Sequence, residues 1–208
     1  MLALYAITDR KCIGDRGLEY SVEQALSGGA TMIQLRDKEV DFDTLCKEAD
    51  SLLKICQKYN APLIINDNAD VVIKTGADGV HLGQNDMELA KAREILGKDI
   101  IIGGSARTIE LAKKAEQSGA DYIGSGAVFG TLTKADAKYL GTENLKKICG
   151  AVGIPVVAIG GVSADNIPQL ENCGISGVAV VSAIFGADNI CSAAQKLRKL
   201  ADSVIYGG

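Results

Sequence analysis

The chain has 208 residues, and 26 acidic against 22 basic side chains give a formal net charge of -4. That balance argues against a protein that finds nucleic acid or an anionic membrane surface by charge. Hydrophobic residues at 47% and charged residues at 23% exclude the composition of a disordered chain and leave material for a core, while 24 glycines beside three prolines point to many tight turns.

The first element is an apolar run, Leu2 to Ile7, followed by Thr8-Asp9-Arg10. It is too short for a signal-peptide core and lacks a cationic start, so a cytoplasmic protein is expected. A short helical stretch over Val22 to Leu26 leads to a second strand, Thr31 to Leu35, which runs on into Arg36-Asp37-Lys38. Helical periodicity then covers Asp43 to Lys58, with Leu45, Ala49, Leu52, Leu53 and Cys56 on one face and Lys47, Glu48, Asp50 and Lys54 left to solvent.

The third strand, Leu63 to Ile65, is trailed by Asn66-Asp67 and a helix over Ala69 to Lys74; the fourth, Gly79 to Leu82, is trailed by Gln84, Asp86 and a helix over Glu88 to Leu96. The fifth, Ile100 to Ile102, precedes Ser105 and a helix over Ile109 to Ser118. After the sixth, Tyr122 to Gly124, comes the longest interval, which holds Thr131-Leu132-Thr133-Lys134, and then a helix over Glu143 to Val152. Strand seven, Val156 to Ile159, ends on Gly160-Gly161 and is followed by a helix predicted over Ala164 to Asn172. Strand eight, Gly177 to Val181, ends at Ser182 before a last helix over Ile190 to Val204.

Eight alternations of uniformly apolar strand and amphipathic helix predict a parallel sheet covered by helices. Shared among eight units, 208 residues give about 26 each, close to the minimum for a strand, a helix and two short loops. The chain is therefore expected to be one domain over residues 1–208, a (β/α)8 TIM barrel, with an open doubly wound sheet as the competing fold. That competitor needs a glycine-rich loop after the first strand, where Thr8-Asp9-Arg10-Lys11 stands. Gly29, Gly76, Gly119 and Gly174 precede the second, fourth, sixth and eighth strands, and are expected to end helices in the left-handed region. The longest stretch without charge, Ile148 to Ala164, is broken by glycines and Pro155 and is shorter than the roughly 20 residues of a membrane span.

In a parallel barrel chemistry gathers at the C-terminal strand ends. The leading ends here are bland, such as Ala61-Pro62 and Gly76-Ala77, whereas the trailing ends carry the polar residues named above. Gly160-Gly161 and Val181-Ser182 stand where such barrels cradle phosphate. Strand alternation places Gln34, Arg36 and Lys38 on one side of the pleat, where two cations and an amide suit a diphosphate joined to a polar heterocycle. Asp67 and Asp86 are candidate magnesium ligands, since that ion takes one or two carboxylates with phosphate and water. Thr131 to Lys134 is read as a functional loop, and His81, the sole histidine, as a structural residue hydrogen-bonded near the end of its strand. The six cysteines form no Cys-x-x-Cys pair and are read as small buried hydrophobes.

Taken in order, Leu4-Tyr5-Ala6-Ile7-Thr8-Asp9, Gln34-Leu35-Arg36-Asp37-Lys38, Ile64-Ile65-Asn66-Asp67, Ala77 to Gln84, Gly103-Gly104-Ser105, Thr131 to Lys134, Ala158 to Gly161 and Val180 to Ile184 resemble the thiamine-phosphate synthase family over almost the whole length. The resemblance implies a transferase that joins 4-amino-5-hydroxymethyl-2-methylpyrimidine diphosphate to a thiazole phosphate, giving thiamine phosphate and diphosphate. It implies that Gln34, Leu35, Arg36, Asp37, Lys38 and Asn66 hold the pyrimidine diphosphate, and that Asp67 and Asp86 bind Mg2+. It further implies contact of Ser105 and Lys134 with the pyrimidine, and of Thr131, Leu132, Thr133, Gly160, Gly161, Val181 and Ser182 with the thiazole phosphate. Arg36, Lys38, Ser105 and Lys134 are the expected catalytic group. The partners implied are small-molecule substrates, without nucleic acid or membrane, and a homo-oligomer is compatible with the sequence. Departures from the family pattern are Asp37 for a common glutamate, Asn68 for arginine, Arg107 for histidine, and Ala127 and Gly130 for prolines. The alternatives are a thiazole tautomerase on the same barrel and a non-catalytic regulator that binds thiamine phosphates.

Overall fold

The computed structural model describes residues 2–130 and 139–207. Eight strands, β1 (Leu4–Ile7), β2 (Met32–Leu35), β3 (Leu63–Asn66), β4 (Gly79–Leu82), β5 (Ile101–Ser105), β6 (Tyr122–Ser125), β7 (Val156–Ile159) and β8 (Gly177–Val180), close a barrel in chain order. Every neighbouring pair is parallel, and β1 meets β8 with Leu4, Tyr5 and Ala6 opposite Val178, Ala179 and Val180. This last pairing excludes the open sheet and establishes the expected (β/α)8 barrel.

The helices among the described residues are α1 (Arg10–Ile13), α2 (Leu18–Ser27), α3 (Phe42–Lys58), α4 (Ala69–Thr75), α5 (Leu89–Leu96), α6 (Ile109–Gln117), α7 (Thr142–Cys149), α8 (Ser182–Phe185) and α9 (Ile190–Tyr206). Several of their starts are set by side chains that accept otherwise orphaned backbone N–H groups: Asp41 from Thr44, Asn68 from Asp70 and Val71, Thr108 from Leu111, and Asn189 from Ser192. At the other end, Gly29, Gly76 and Gly119 have positive φ, between 72 and 99°, as the sequence predicts for helix stops, whereas Gly174, with φ of 77°, follows no α-helix.

The connection from β7 to β8 differs from expectation. The helix predicted over Ala164 to Asn172 is only a 3-10 segment, Ile167–Leu170, and the backbone is extended again at Glu171. A helix begun at Ala164 would place Pro168 in its interior, where the ring collides with the carbonyl four residues back, so helical backbone starts late and stops soon. On α3 the buried face contains Leu45, Cys46, Ala49, Leu52, Ile55 and Cys56, while Leu53 is half-buried at its edge.

Strand alternation divides the core in two. Ile33, Leu35, Leu63, Ile65, Val80, Leu82, Ile102 and Ile123 face outward and pack under the helices. Leu2, Tyr5, Ile7, Met32, Ile64, Tyr122, Val157 and Ala179 form the separate cluster inside the barrel. All six cysteines are free, and burial pushes the thiols of Cys56 and Cys149 up to about 12. Among the described residues no helix is long and apolar enough to cross a membrane.

Candidate active site

The trailing end of β2 carries the first part of the site. Because β2 alternates, Gln34 points into the barrel, where its Nε2 donates to the Tyr5 hydroxyl at 2.6 Å, while Leu35 is buried in the layer beneath the helices. The side chain of Leu35, expected among the substrate contacts, therefore faces away from the mouth. Asp37 is also turned outward: its carboxylate takes Arg10 Nε at 2.5 Å and the Glu39 N–H at 2.9 Å. Both residues obey the same period-2 rule that brings Gln34, Arg36 and Lys38 to the other side.

Arg36 and Lys38 are each held by a carboxylate from a neighbouring strand end. Arg36 Nη1 lies 3.5 Å from Asp9 Oδ2, and its backbone N–H donates to Thr8 Oγ1 at 2.9 Å. Asp9 has a second duty as the cap of α1, where it accepts from the Cys12 N–H. Lys38 Nζ lies 2.8 Å from Asp67 Oδ2, and it is the more exposed of the two, with just over half of its side chain accessible.

Asp67 sits just past β3 with φ of 63°, a conformation that asparagine and aspartate tolerate better than other non-glycine residues. Its backbone N–H donates to the His81 carbonyl at 2.9 Å, which fixes the turn against β4. The side chain meets Asp86, whose Oδ2 accepts the Gly83 N–H at 2.6 Å. Partial burial raises the carboxyl of Asp67, but Lys38, Asp86 and Asn66 outweigh it and hold the group below the ordinary range. Asp86 moves the other way: burial pushes it up, the Gly83 N–H opposes this, and the adjacent Asp67 adds to the rise.

Lys38 and the Gly83 N–H meet one oxygen each of this carboxyl pair, and the remaining oxygens are hard donors of the kind magnesium takes. That is the fit expected of a magnesium site completed by phosphate and water. Among the described residues there is no group of three or more histidine, cysteine, aspartate or glutamate side chains that could hold a metal without such outside ligands.

On β5, Ser105 Oγ lies 3.0 Å from His81 Nε2, so the histidine is hydrogen-bonded at its strand end as expected. On the far side of the mouth, Gly160 and Gly161 both have positive φ, 92 and 69°. A Cβ on Gly161 would come within 2.8 Å of the Phe129 carbonyl oxygen, and the Phe129 N–H donates to the Gly160 carbonyl at 2.9 Å. The glycine pair is thus needed for close approach of the segment after β6, a packing duty the sequence does not reveal. Val181 packs against the interior cluster, and exposed Ser182 begins α8. Thr131, Leu132, Thr133 and Lys134 lie outside the described residues. A cleft of about 400 Å³ lined by Arg107, Glu110, Tyr139 and Lys147 lies between the first turns of α6 and α7.

Sequence reading missed Tyr5 and Tyr122, which it took only as strand residues. Their hydroxyls are 2.9 Å apart inside the barrel, and that of Tyr122 lies 3.0 Å from His81 Nδ1. The available signal was positional: both are large aromatics with polar tips at inward-facing strand positions.

A closed (β/α)8 barrel whose charged and polar side chains converge on the C-terminal strand ends defines an enzyme of the barrel class. More narrowly, the chain belongs to the thiamine monophosphate synthase family, whose sequence profile matches residues 4–184. It is 49% identical to the thiamine-phosphate synthase of Ruminiclostridium cellulolyticum over 95% of this chain and 94% of that one. It is 48% identical to the thiamine-phosphate synthase of Clostridium acetobutylicum over 90% and 89% respectively. Among solved structures, a thiamine phosphate pyrophosphorylase from Pyrococcus furiosus superposes with a TM-score of 0.91 at 41% identity, covering 98% of this chain and 97% of that one.

Proposed function

We propose that this chain, acting as one domain over residues 1–208, condenses 4-amino-5-hydroxymethyl-2-methylpyrimidine diphosphate with a thiazole phosphate to give thiamine phosphate and diphosphate. The observation that carries the reading is the convergence of Arg36, Lys38, Asp67 and Asp86 at one mouth of a barrel from this family. A tautomerase that moves one proton on a thiazole phosphate needs no such charged cage, which favours the synthase.

The reaction needs no protein nucleophile. The bond between the pyrimidine methylene carbon and the diphosphate oxygen breaks first, and diphosphate leaves with the electron pair. The resulting carbocation is stabilised by the ring amine until the thiazole nitrogen attacks it and forms the new C–N bond. Arg36 and Lys38, together with Lys134 from the segment after β6, stabilise charge on the departing diphosphate. Substrate phosphate oxygens displace the carboxylates that hold Arg36 and Lys38 in the free protein. Gln34, Asn66 and Ser105 orient the pyrimidine, and Gly160, Gly161, Val181 and Ser182 with Thr131 to Thr133 receive the thiazole phosphate. Asp67 and Asp86 would hold Mg2+, which when bound supplies positive charge to the diphosphate oxygens. A cytoplasmic setting is supported by six free cysteines.

The test is diphosphate release from purified protein supplied with each substrate alone and with both, with and without Mg2+. The synthase reading expects release only with both substrates and the metal. Conversion of the thiazole phosphate to its tautomer without diphosphate chemistry would assign the tautomerase instead, and binding without turnover would assign the regulator.

A further inference from the structure

A chain of hydrogen bonds crosses the barrel interior that the reaction as described does not use. Gln34 Nε2 donates to the Tyr5 hydroxyl at 2.6 Å, that hydroxyl lies 2.9 Å from the hydroxyl of Tyr122, the latter 3.0 Å from His81 Nδ1, and His81 Nε2 3.0 Å from Ser105 Oγ. Its two ends, Gln34 and Ser105, are residues assigned to the pyrimidine substrate, and the three in the middle are not. Both phenols are fully buried, and burial pushes each above the ordinary tyrosine range, so each keeps its one proton.

Counting protons gives the chain a direction. The Tyr5 oxygen accepts from Gln34 and has a lone pair left, but among the described residues the Tyr122 oxygen is the acceptor that the buried Tyr5 proton can reach, so we assign Tyr5 as the donor of that pair. With its oxygen taken up by Tyr5, Tyr122 is assigned as donor to His81 Nδ1, and the accepting role of that nitrogen is the tautomer to be tested. A ring nitrogen that accepts carries no hydrogen, so the neutral imidazole bears its proton on Nε2 and donates it to Ser105 Oγ. Ser105 is then an acceptor on its inner side, and its own hydrogen is left for an acceptor in the mouth.

A separate feature shows how the strands make room for this. In the register, His81 of β4 stands opposite Gly103 of β5, and Gly103 opposite Tyr122 of β6, so a glycine on the middle strand lies between the two rings. A Cβ on Gly103 would overlap the Tyr122 ring and lie 2.6 Å from His81 Nδ1, and one on Gly124 would lie 3.3 Å from His81 Cε1. Any other residue at 103 would force the phenol and the imidazole apart.

We propose that Tyr5, Tyr122 and His81 are positioning residues that hold Ser105 as a hydrogen-bond donor toward an acceptor atom of the pyrimidine substrate, with the His81 proton on Nε2. The substrate half of this statement rests on the function proposed above; the tautomer half does not.

The experiment uses that independence. Because His81 is the sole histidine, protein labelled with 15N-histidine gives one imidazole spectrum. In the substrate-free wild type we expect a protonated Nε2 and a bare Nδ1. A proton on Nδ1 would reverse the chain, make Ser105 an acceptor, and overturn the proposal. Tyr122→Phe removes the donor to Nδ1, and should mix the tautomers and lower kcat about tenfold, the worth of one hydrogen bond to a reacting complex. The KM for the pyrimidine diphosphate should move less than kcat, and adding Ser105→Ala to Tyr122→Phe should cost far less than it costs the wild type. Independent, multiplying losses, or a shifted tautomer with unchanged kcat, would overturn the positioning role. Should Tyr122→Phe fail to fold, the wild-type spectrum still decides the tautomer. If the wild type has the expected tautomer but does not release diphosphate, the functional reading fails and the hydrogen-bond direction stands.

Discussion

The two hydrophobic regions of this barrel are built from the same strands and differ in what they tolerate. The layer between strands and helices is dominated by aliphatic side chains such as Leu35, Leu63, Ile65 and Val80. The interior cluster holds apolar residues beside two phenols that bond to each other, to an amide and to an imidazole. The difference teaches a division of labour along each strand: residues of one parity secure the fold, and residues of the other parity lead to the chemistry at the mouth. It also explains how Leu35 lies within a functional motif and yet packs like any core leucine.

The largest effect expected from this division lies at the mouth. Asp86→Asn should lower turnover by about 10²–10³ and abolish its dependence on Mg2+. Its thermal unfolding should stay within a few degrees of wild type; retention of wild-type turnover and metal dependence would remove Asp86 from the site. Leu35→Ala should behave in the opposite way. Urea denaturation should show a loss of about 2–5 kcal/mol, while kcat of the folded protein changes by no more than a few-fold. A large kcat loss at full stability would contradict its place in the outer layer.

A smaller effect concerns the thiols. For Cys56 and Cys149, burial raises the group from 9.0 to about 12, so the unfolded chain loses these protons first as pH rises. Their contribution to stability is complete below about pH 9 and declines toward pH 12. The urea midpoint should therefore fall between pH 8 and pH 10.5, and a double Cys56→Ala, Cys149→Ala variant should show a shallower fall. The smallest effect belongs to the exposed rim. Lys11→Ala removes the ion pair to Glu39, in which both side chains are mostly exposed, and should change stability by no more than about 1 kcal/mol, measured by the same denaturation.

The positions of most strands were readable because a fully covered strand is apolar throughout and is bounded by turn residues. Gly79–Leu82 and Val156–Ile159 match their predicted ranges at both ends. The helix after β7 was misread because the apolar spacing from Ala164 was weighed without the steric demand of Pro168. That Arg36, Lys38, Asp67 and Asp86 gather at one end of the barrel was readable because all four follow strands of one parallel sheet, whose trailing ends lie on the same side. The partners of Arg36 and Lys38 were not, since Asp9 and Asp67 come from other strand ends.

The sequence by itself determined the alternation of elements, the glycine stops, the polar trailing ends and the family. Those properties are local, or lie in the order of short motifs. Only the tertiary structure decided that β8 closes on β1, that Gly161 is needed for the backbone after β6, and that Tyr5, Tyr122 and His81 join Gln34 to Ser105. Tyr5 and Tyr122 are 117 residues apart in the chain. Hydrogen bonding acts over about 3 Å, and only closure of the barrel brings them within that reach.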